Sequence, residues 1–215
     1  MHRAWNWRYK ATSNLKLKVP FILASASPRR RHLLTQLGLT FDVSPSPVDE
    51  SYPVHLPPGK AVQEAALGKA RAVADPGSDA LVLGADTVVV LDEEVLGKPR
   101  SPDDTVGMLS RLSGRWHEVH TGIAVLQTSS GRCFTAAEET RVLFVRLSDN
   151  EIRSYVRSGS PMDKAGAYGI QDDFGSVFVS RIDGDFYTVM GLPLSRLYGL
   201  LRSEFADLFE SGLEG

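Results

Sequence analysis

The chain has 215 residues, 42% of them hydrophobic and 23% charged, enough length and apolar content to bury a core, which excludes a disulfide-stapled miniprotein, a fibrous repeat and wholesale disorder. With 24 Lys and Arg against 26 Asp and Glu the formal net charge is -2, so there is no global basic field for nucleic acid or an anionic membrane, and any anion site has to be local. The single cysteine, Cys133, excludes an internal disulfide and a multi-cysteine metal site and suits a reducing cytoplasm, and no apolar run reaches membrane-spanning length.

Ahead of Asp42, the first acidic residue, stand Arg3, Arg8, Lys10, Lys16 and Lys18. Residues 1–19 therefore read as a basic, flexible, Trp-containing arm, without the apolar stretch of a secretory leader. Phe21-Ile22-Leu23-Ala24 is expected to form a buried strand. Ser27-Pro28 then opens a helix, a cap residue followed by proline at the first helical position, and Gly38 closes it. A proline-rich loop from Pro45 to Pro58 precedes a helix near Ala61 to Ala74, and Leu81 to Leu91 reads as a long apolar strand. A short hairpin through Asp92 and Glu93 leads to Lys98. Ser101-Pro102 repeats the helix-start signal, with Asp104 at capping-box distance, an apolar stripe of Met108, Leu109 and Leu112, and Gly114 as the stop.

Strands are expected at Glu118 to Leu126 and Thr140 to Leu147, around a turn at Ser129-Ser130-Gly131. Ser148 with Glu151 caps a further helix, Gly175 to Ile182 reads as a strand, and Asp183-Gly184 as a hairpin turn. The last helix, from Pro193, buries Leu194, Leu197, Leu201, Phe205 and Leu208. Strands that alternate with helices early and form hairpins late predict an α/β fold on a mixed, twisted sheet, with residues 20–215 as one domain.

Asp86 is the chief oddity, because apolar residues occupy both faces of its strand. A carboxylate there calls for a cation or several donors; alternatively, Asp86 bends the strand with Gly84 and caps its own turn. Lys69 lies on the inward stripe of its helix with Val62, Ala65, Ala66 and Val73, either aimed at such a partner or snorkelling to water. Ser25-Ala26-Ser27-Pro28-Arg29-Arg30-Arg31 brings hydroxyls, guanidinium groups and free N–H groups to one helix start, a place for an anion or a solvated basic face. It is not a Walker loop, since the glycine-rich cradle is missing.

Lys98 precedes Pro99 in a turn. Lys164 to Gln171 is a small-residue loop whose glycines allow a ligand close to the backbone, with Gln171 offering an amide, and Glu50 is a second carboxylate in the proline-rich loop. His32, His55, His117 and His120 lack zinc-ligand spacing, and oxygen ligands with phosphate point to magnesium or manganese.

Seven segments occur in one order: Ser-Ala-Ser-Pro-Arg-Arg (25–30), Val-Asp-Glu (48–50), Gly-Ala-Asp-Thr (84–87), Gly-Lys-Pro (97–99), Leu-Ser-Gly (112–114), Lys-Ala-Gly-Ala-Tyr-Gly-Ile-Gln (164–171) and Val-Met-Gly-Leu-Pro (189–193). In these the chain resembles the Maf family of nucleoside triphosphate pyrophosphatases from about Phe21 to Leu201. The resemblance implies an elongated, two-lobed α/β fold with a central cleft, related to the inosine triphosphate pyrophosphatases, and a homodimer in the cytoplasm. It makes Asp86 the proton acceptor and a metal-linked carboxylate, with Glu50 beside the metal, Mg2+ or Mn2+. Arg29, Thr87 and Gln171 then fall where the family sets base specificity, the Gln171 amide reading a uracil-like edge. Ser25, Arg30, Lys69, Lys98 and Lys164 line the cleft for the triphosphate.

Arginine after Ser-Pro and the Tyr-Gly-Ile-Gln segment side with the branch that acts on dTTP and UTP, not with the branch resembling 7-methyl-GTP pyrophosphatases. The resemblance implies hydrolysis at the α-phosphorus to the monophosphate and pyrophosphate. A non-catalytic, nucleotide-binding regulator of cell division is the second expectation. Gly68 departs from relatives that carry an acidic residue before the lysine.

Overall fold

The computed structural model describes residues 15–48, 56–171 and 173–210. In chain order the strands are β1 (Phe21–Leu23), β2 (Asp42–Val43), β3 (Leu81–Leu91), β4 (Glu94–Leu96), β5 (Trp116–Gln127), β6 (Cys133–Phe144) and β7 (Val179–Asp183). The helices are α1 (Pro28–Leu37), α2 (Pro58–Val73), α3 (Pro102–Leu112), α4 (Asp149–Arg157), α5 (Phe186–Met190) and α6 (Leu194–Glu204). One mixed, open sheet runs β2-β1-β3-β5-β6-β7, with β4 also against β3. The β1 pairings are parallel and the others antiparallel, so the chain has the α/β fold expected.

The helix-start signals act as their chemistry requires. Ser27 and Ser101 cap α1 and α3 with proline at the next position, and Ser148 and Glu151 form a reciprocal capping box on α4. Asp104 departs from that pattern: its carboxylate accepts from Arg100 N at 2.8 Å instead of from the cap residue.

β3 is apolar on both faces because both are covered. On one face α2 lays Val62, Ala66 and Ala70 over Val82, Val88 and Val90. A Cβ added to Gly84 would meet the Ala66 carbonyl at 2.0 Å, and one on Gly122 the Val62 carbonyl at 2.3 Å. Gly84 is therefore the floor on which the helix backbone rests, not a bend in the strand. The opposite face carries two clusters side by side. Leu81, Leu83 and Ala85 pack with Leu33 and Leu34 of α1 and Leu197 and Leu201 of α6, while Val89 and Leu91 pack with Leu109 of α3 and Ile152 and Tyr155 of α4.

Three expected elements are corrected. Residues 173–178 wind into 3-10 turns, so β7 starts at Val179 rather than Gly175. Gly175 and Phe178 are buried while Ser176 and Val177 are exposed, a spacing of three that suits such a turn and not an alternating strand. Asp183-Gly184 is no hairpin turn: Asp185 accepts from Thr188 N at 2.7 Å and opens α5. β6 begins at Cys133 and ends at Phe144, displaced from the expected Thr140 to Leu147, because its polar residues, half-buried Glu138 and exposed Glu139, still pair along β5. Of the basic arm, residues 1–14 lie outside the described residues. Leu15, Leu17 and Val19 pack against the α1/α6 cluster, and Leu17 bridges to Phe209.

Candidate active site

β1 lies beside Leu81–Leu83 and β4 beside Val89–Leu91 on one side of β3, while β5 follows its other side from Leu81 to Val90. Between β1 and β4, residues 84–88 have no strand beside them among the described residues. A cavity of about 340 Å³ opens at this gap. The segments that leave the two flanking strands, Ser25 to Ser27 and Lys98, both line it, as do Thr87 from β3 and Lys69 from α2. Clefts at such breaks in a sheet's order are where α/β folds bind ligands.

The cavity's anion end is the start of α1. Ser25 Oγ accepts from Ser27 N at 3.3 Å and from Arg30 Nη1 at 3.2 Å. Both lone pairs of that hydroxyl are thus used, and its own proton is left to donate to a ligand. Arg30 also donates through Nε to the Gly191 carbonyl at 2.9 Å and through Nη2 to Thr87 Oγ1 at 3.2 Å. The guanidinium ties α1, β3 and the turn between α5 and α6 into one corner at the positive end of a helix dipole.

On α2, Lys69 places its Nζ 2.5 Å from Asp86 Oδ1. The lysine is an inward partner, not a snorkelling side chain, and the carboxylate is 1% exposed. Lys69 forms the cavity wall, whereas Asp86 stands behind it. Asp86 Oδ2 is buried and has no hydrogen-bond partner among the described residues. An orphaned buried carboxylate oxygen demands a cation or a donor, and one carboxylate supplemented by phosphate oxygens is a donor set that fits Mg2+ or Mn2+. Glu118, His120 and Glu139 form a second group whose ligand atoms lie within 4.8 Å of one another. None of the three lines the cavity.

Across the cavity, Asp163 accepts from Lys164 Nζ at 2.8 Å and from Arg29 Nη1 at 3.2 Å. Partial burial opposes its ionisation, but the Lys164 hydrogen bond and the charges of Arg29 and Lys164 outweigh it and hold the carboxyl below its usual range. The loop behind it seats on the sheet: Gly166 has φ +66, and an added Cβ would lie 2.7 Å from Val89. Tyr168, another wall residue, places its hydroxyl 2.8 Å from His117 Nε2. Burial pushes His117 down to about 4, against a smaller opposing effect of the Arg115 carbonyl. Val89, Val119, Val189 and Met190 give the same cavity an apolar flank.

Eight of the expected site residues, Ser25, Arg29, Arg30, Lys69, Thr87, Lys98, Lys164 and Gln171, thus line one cavity. Asp86 is reached through Lys69, and Glu50 lies outside the described residues. Sequence reasoning missed Asp163, although a carboxylate directly before Lys164 was a usable signal. It also missed Thr121, whose hydroxyl lies 2.9 Å from that of Thr87, because a threonine in an apolar strand carries no signal by itself.

Known proteins are similar to this chain over most of its length. Residues 20–204 match the family model described as Maf-like protein. The chain is 50% identical over 197 residues to the dTTP/UTP pyrophosphatase of Salinibacter ruber, covering 92% of this chain and 97% of that protein. It is 53% identical over 188 residues to the dTTP/UTP pyrophosphatase of Moorella thermoacetica, covering 87% and 96%. It is 49% identical over 184 residues to that of Aquifex aeolicus, covering 84% and 93%.

Proposed function

This chain belongs to the Maf family, and from that premise we propose that it hydrolyses dTTP and UTP to the monophosphate and pyrophosphate. The observation that carries the reading is the composition of one cavity. Arg29, Arg30, Lys69, Lys98 and Lys164 face it beside a helix start, with Asp163 as the one carboxylate in the wall among the described residues and an apolar flank alongside. Such a cavity takes a molecule that is polyanionic at one end and a flat ring at the other.

The roles follow from donors and charges. Arg30 and the outward proton of Ser25 hold the phosphate nearest the α1 start, and Lys98 and Lys164 take the phosphates beyond it. Gln171 donates its amide to the ring's O4, and Arg29, fixed by Asp163, borders the same flank. Lys69 holds Asp86 by Oδ1, which leaves Oδ2 as the acceptor for the proton of a water that attacks the α-phosphorus as the bond to the bridging oxygen breaks. Asp86, together with Glu50, would hold Mg2+ or Mn2+, which when bound neutralises triphosphate charge and polarises the phosphorus. The lone cysteine supports placing the enzyme in the cytoplasm, and we assign it a homodimer on the resemblance alone.

The test is a panel of nucleoside triphosphates with magnesium or manganese, scoring pyrophosphate against orthophosphate. Pyrophosphate from dTTP and UTP is expected, and orthophosphate as the first product would reject attack at the α-phosphorus. Asp86→Asn should abolish turnover and keep nucleotide affinity. A chain that binds nucleotide but turns over none would instead be the regulator considered above.

A further inference from the structure

Thr121 Oγ1 lies 2.7 Å from the Thr188 carbonyl oxygen and 2.9 Å from Thr87 Oγ1, which in turn lies 3.2 Å from Arg30 Nη2. Two oxygens this close need a proton between them, and a carbonyl has none to give. The single hydroxyl proton of Thr121 is therefore committed to Thr188. Thr121 meets Thr87 with a lone pair, so the Thr87 proton fills that contact. Arg30 can only donate and takes one Thr87 lone pair. What Thr87 keeps for the cavity is one lone pair and no proton. Thr121 and Thr188 are both 0% exposed, so no water competes for the chain and its direction is set.

We propose that Thr121 is a positioning residue that makes Thr87 a one-way acceptor, so that this corner takes a hydrogen-bond donor of the bound nucleotide and rejects a lone pair. The inference rests on the nucleotide reading above and adds to it a residue and a polarity. Two donors common to dTTP and UTP fit the corner, the ring N3–H and the 3′-hydroxyl of the sugar. A cytosine ring presents a lone pair at N3 and would face the lone pair of Thr87. Buried polar groups left facing each other in this way discriminate strongly, because neither finds another partner.

The experiment measures binding by calorimetry for the wild type, Thr121→Val and Thr121→Ser, with dTTP, dCTP and 3′-deoxythymidine triphosphate. If the corner reads the ring, wild type binds dCTP about tenfold or more weaker than dTTP, and Thr121→Val, which frees the Thr87 proton to turn outward, improves dCTP binding several-fold while Thr121→Ser does not. If it reads the sugar, the wild type discriminates against the 3′-deoxy analogue and Thr121→Val reduces that penalty. A gain in affinity for a disfavoured ligand is something structural damage does not produce. Equal wild-type affinity for all three ligands overturns the inference without any variant, and so does a folded Thr121→Val that shifts neither ratio. Absence of dTTP and UTP binding altogether, with no pyrophosphate released, would instead sink the nucleotide reading.

Discussion

Nζ of Lys69 stands 2.5 Å from Oδ1 of Asp86, and the residue across the ladder from Asp86 is Gly122, whose missing side chain lets α2 come near enough to bring the lysine there. Charge placement and backbone packing are here one arrangement. Removing one partner of a buried pair leaves an uncompensated charge, so Lys69→Met is expected to cost about 3–5 kcal/mol in urea unfolding. Adding Asp86→Leu to it should recover much of that loss. If the two changes simply add, the pair is not coupled.

Gly122→Ala and Gly68→Ala should move stability in opposite directions. At Gly122 the new methyl would lie 2.3 Å from the Val62 carbonyl, whereas nothing lies within 4 Å at Gly68. The first is expected to destabilise by about 1–3 kcal/mol or more, from overpacking. The second should stabilise α2 by about 0.5–1 kcal/mol, since alanine is the better helix former. A neutral Gly122→Ala in thermal or urea denaturation would contradict the seating of α2 on β3 and β5.

His117 gives a pH dependence whose sign is set by burial. Its value is depressed to about 4 in the folded chain, so the unfolded chain binds the extra proton first as pH falls. The stability it contributes is complete above about 6.5 and is lost as pH drops toward about 4, an amount of roughly 3 kcal/mol for full desolvation. Urea midpoints at pH 7.5 and 5 should therefore differ less in His117→Asn than in the wild type. An identical difference in both would assign the acid sensitivity elsewhere.

Asp163 holds two of the cavity's cations and is itself negative. Asp163→Asn should release Arg29 and Lys164 toward phosphate and bind tripolyphosphate several-fold tighter, while discrimination between nucleotide rings weakens as Arg29 loses its anchor. Since the carboxyl is held below its usual range, this difference between wild type and variant should persist at pH 5 and vanish only as the pH falls through the depressed value. Tripolyphosphate binding unchanged or weakened in the variant would mean that Asp163 does not restrain these cations.

Much of the site was legible because its parts are local. Ser27-Pro28 had to cap a helix, and a buried strand feeding that cap had to aim N–H groups and arginines at one spot. Asp86 was conspicuous because a carboxylate inside an apolar strand has no bland explanation that leaves it unpaired, and Lys69 shared an inward stripe. The role of Gly84, for which a bend was the alternative left open, was not legible, since the close approach of α2 depends on a tertiary contact that no spacing along β3 records. The start of the expected Gly175 to Ile182 strand failed for a related reason. Its β-prone Val177 and Phe178 sit in turns that leave Val177 exposed and pack Phe178 edge-on against Tyr155, whose hydroxyl would lie 2.6 Å from a Cβ added to Gly175. Thr121 takes its meaning from Thr87 and Thr188, and Asp163 half of its meaning from Arg29, partners far along the chain that one-dimensional patterns do not reveal.

Arg30 donates to Ser25, Thr87 and Gly191, from segments that meet only when nearly the entire chain is in place. A fragment ending before Gly191, or a form with α5 and α6 peeled away, would keep every basic side chain of the helix start yet lose the Gly191 carbonyl that fixes the Nε edge of Arg30. Phosphate affinity should therefore weaken before the rest of the sheet comes apart, which makes ligand retention a sensitive reporter of whether a damaged or truncated copy is whole.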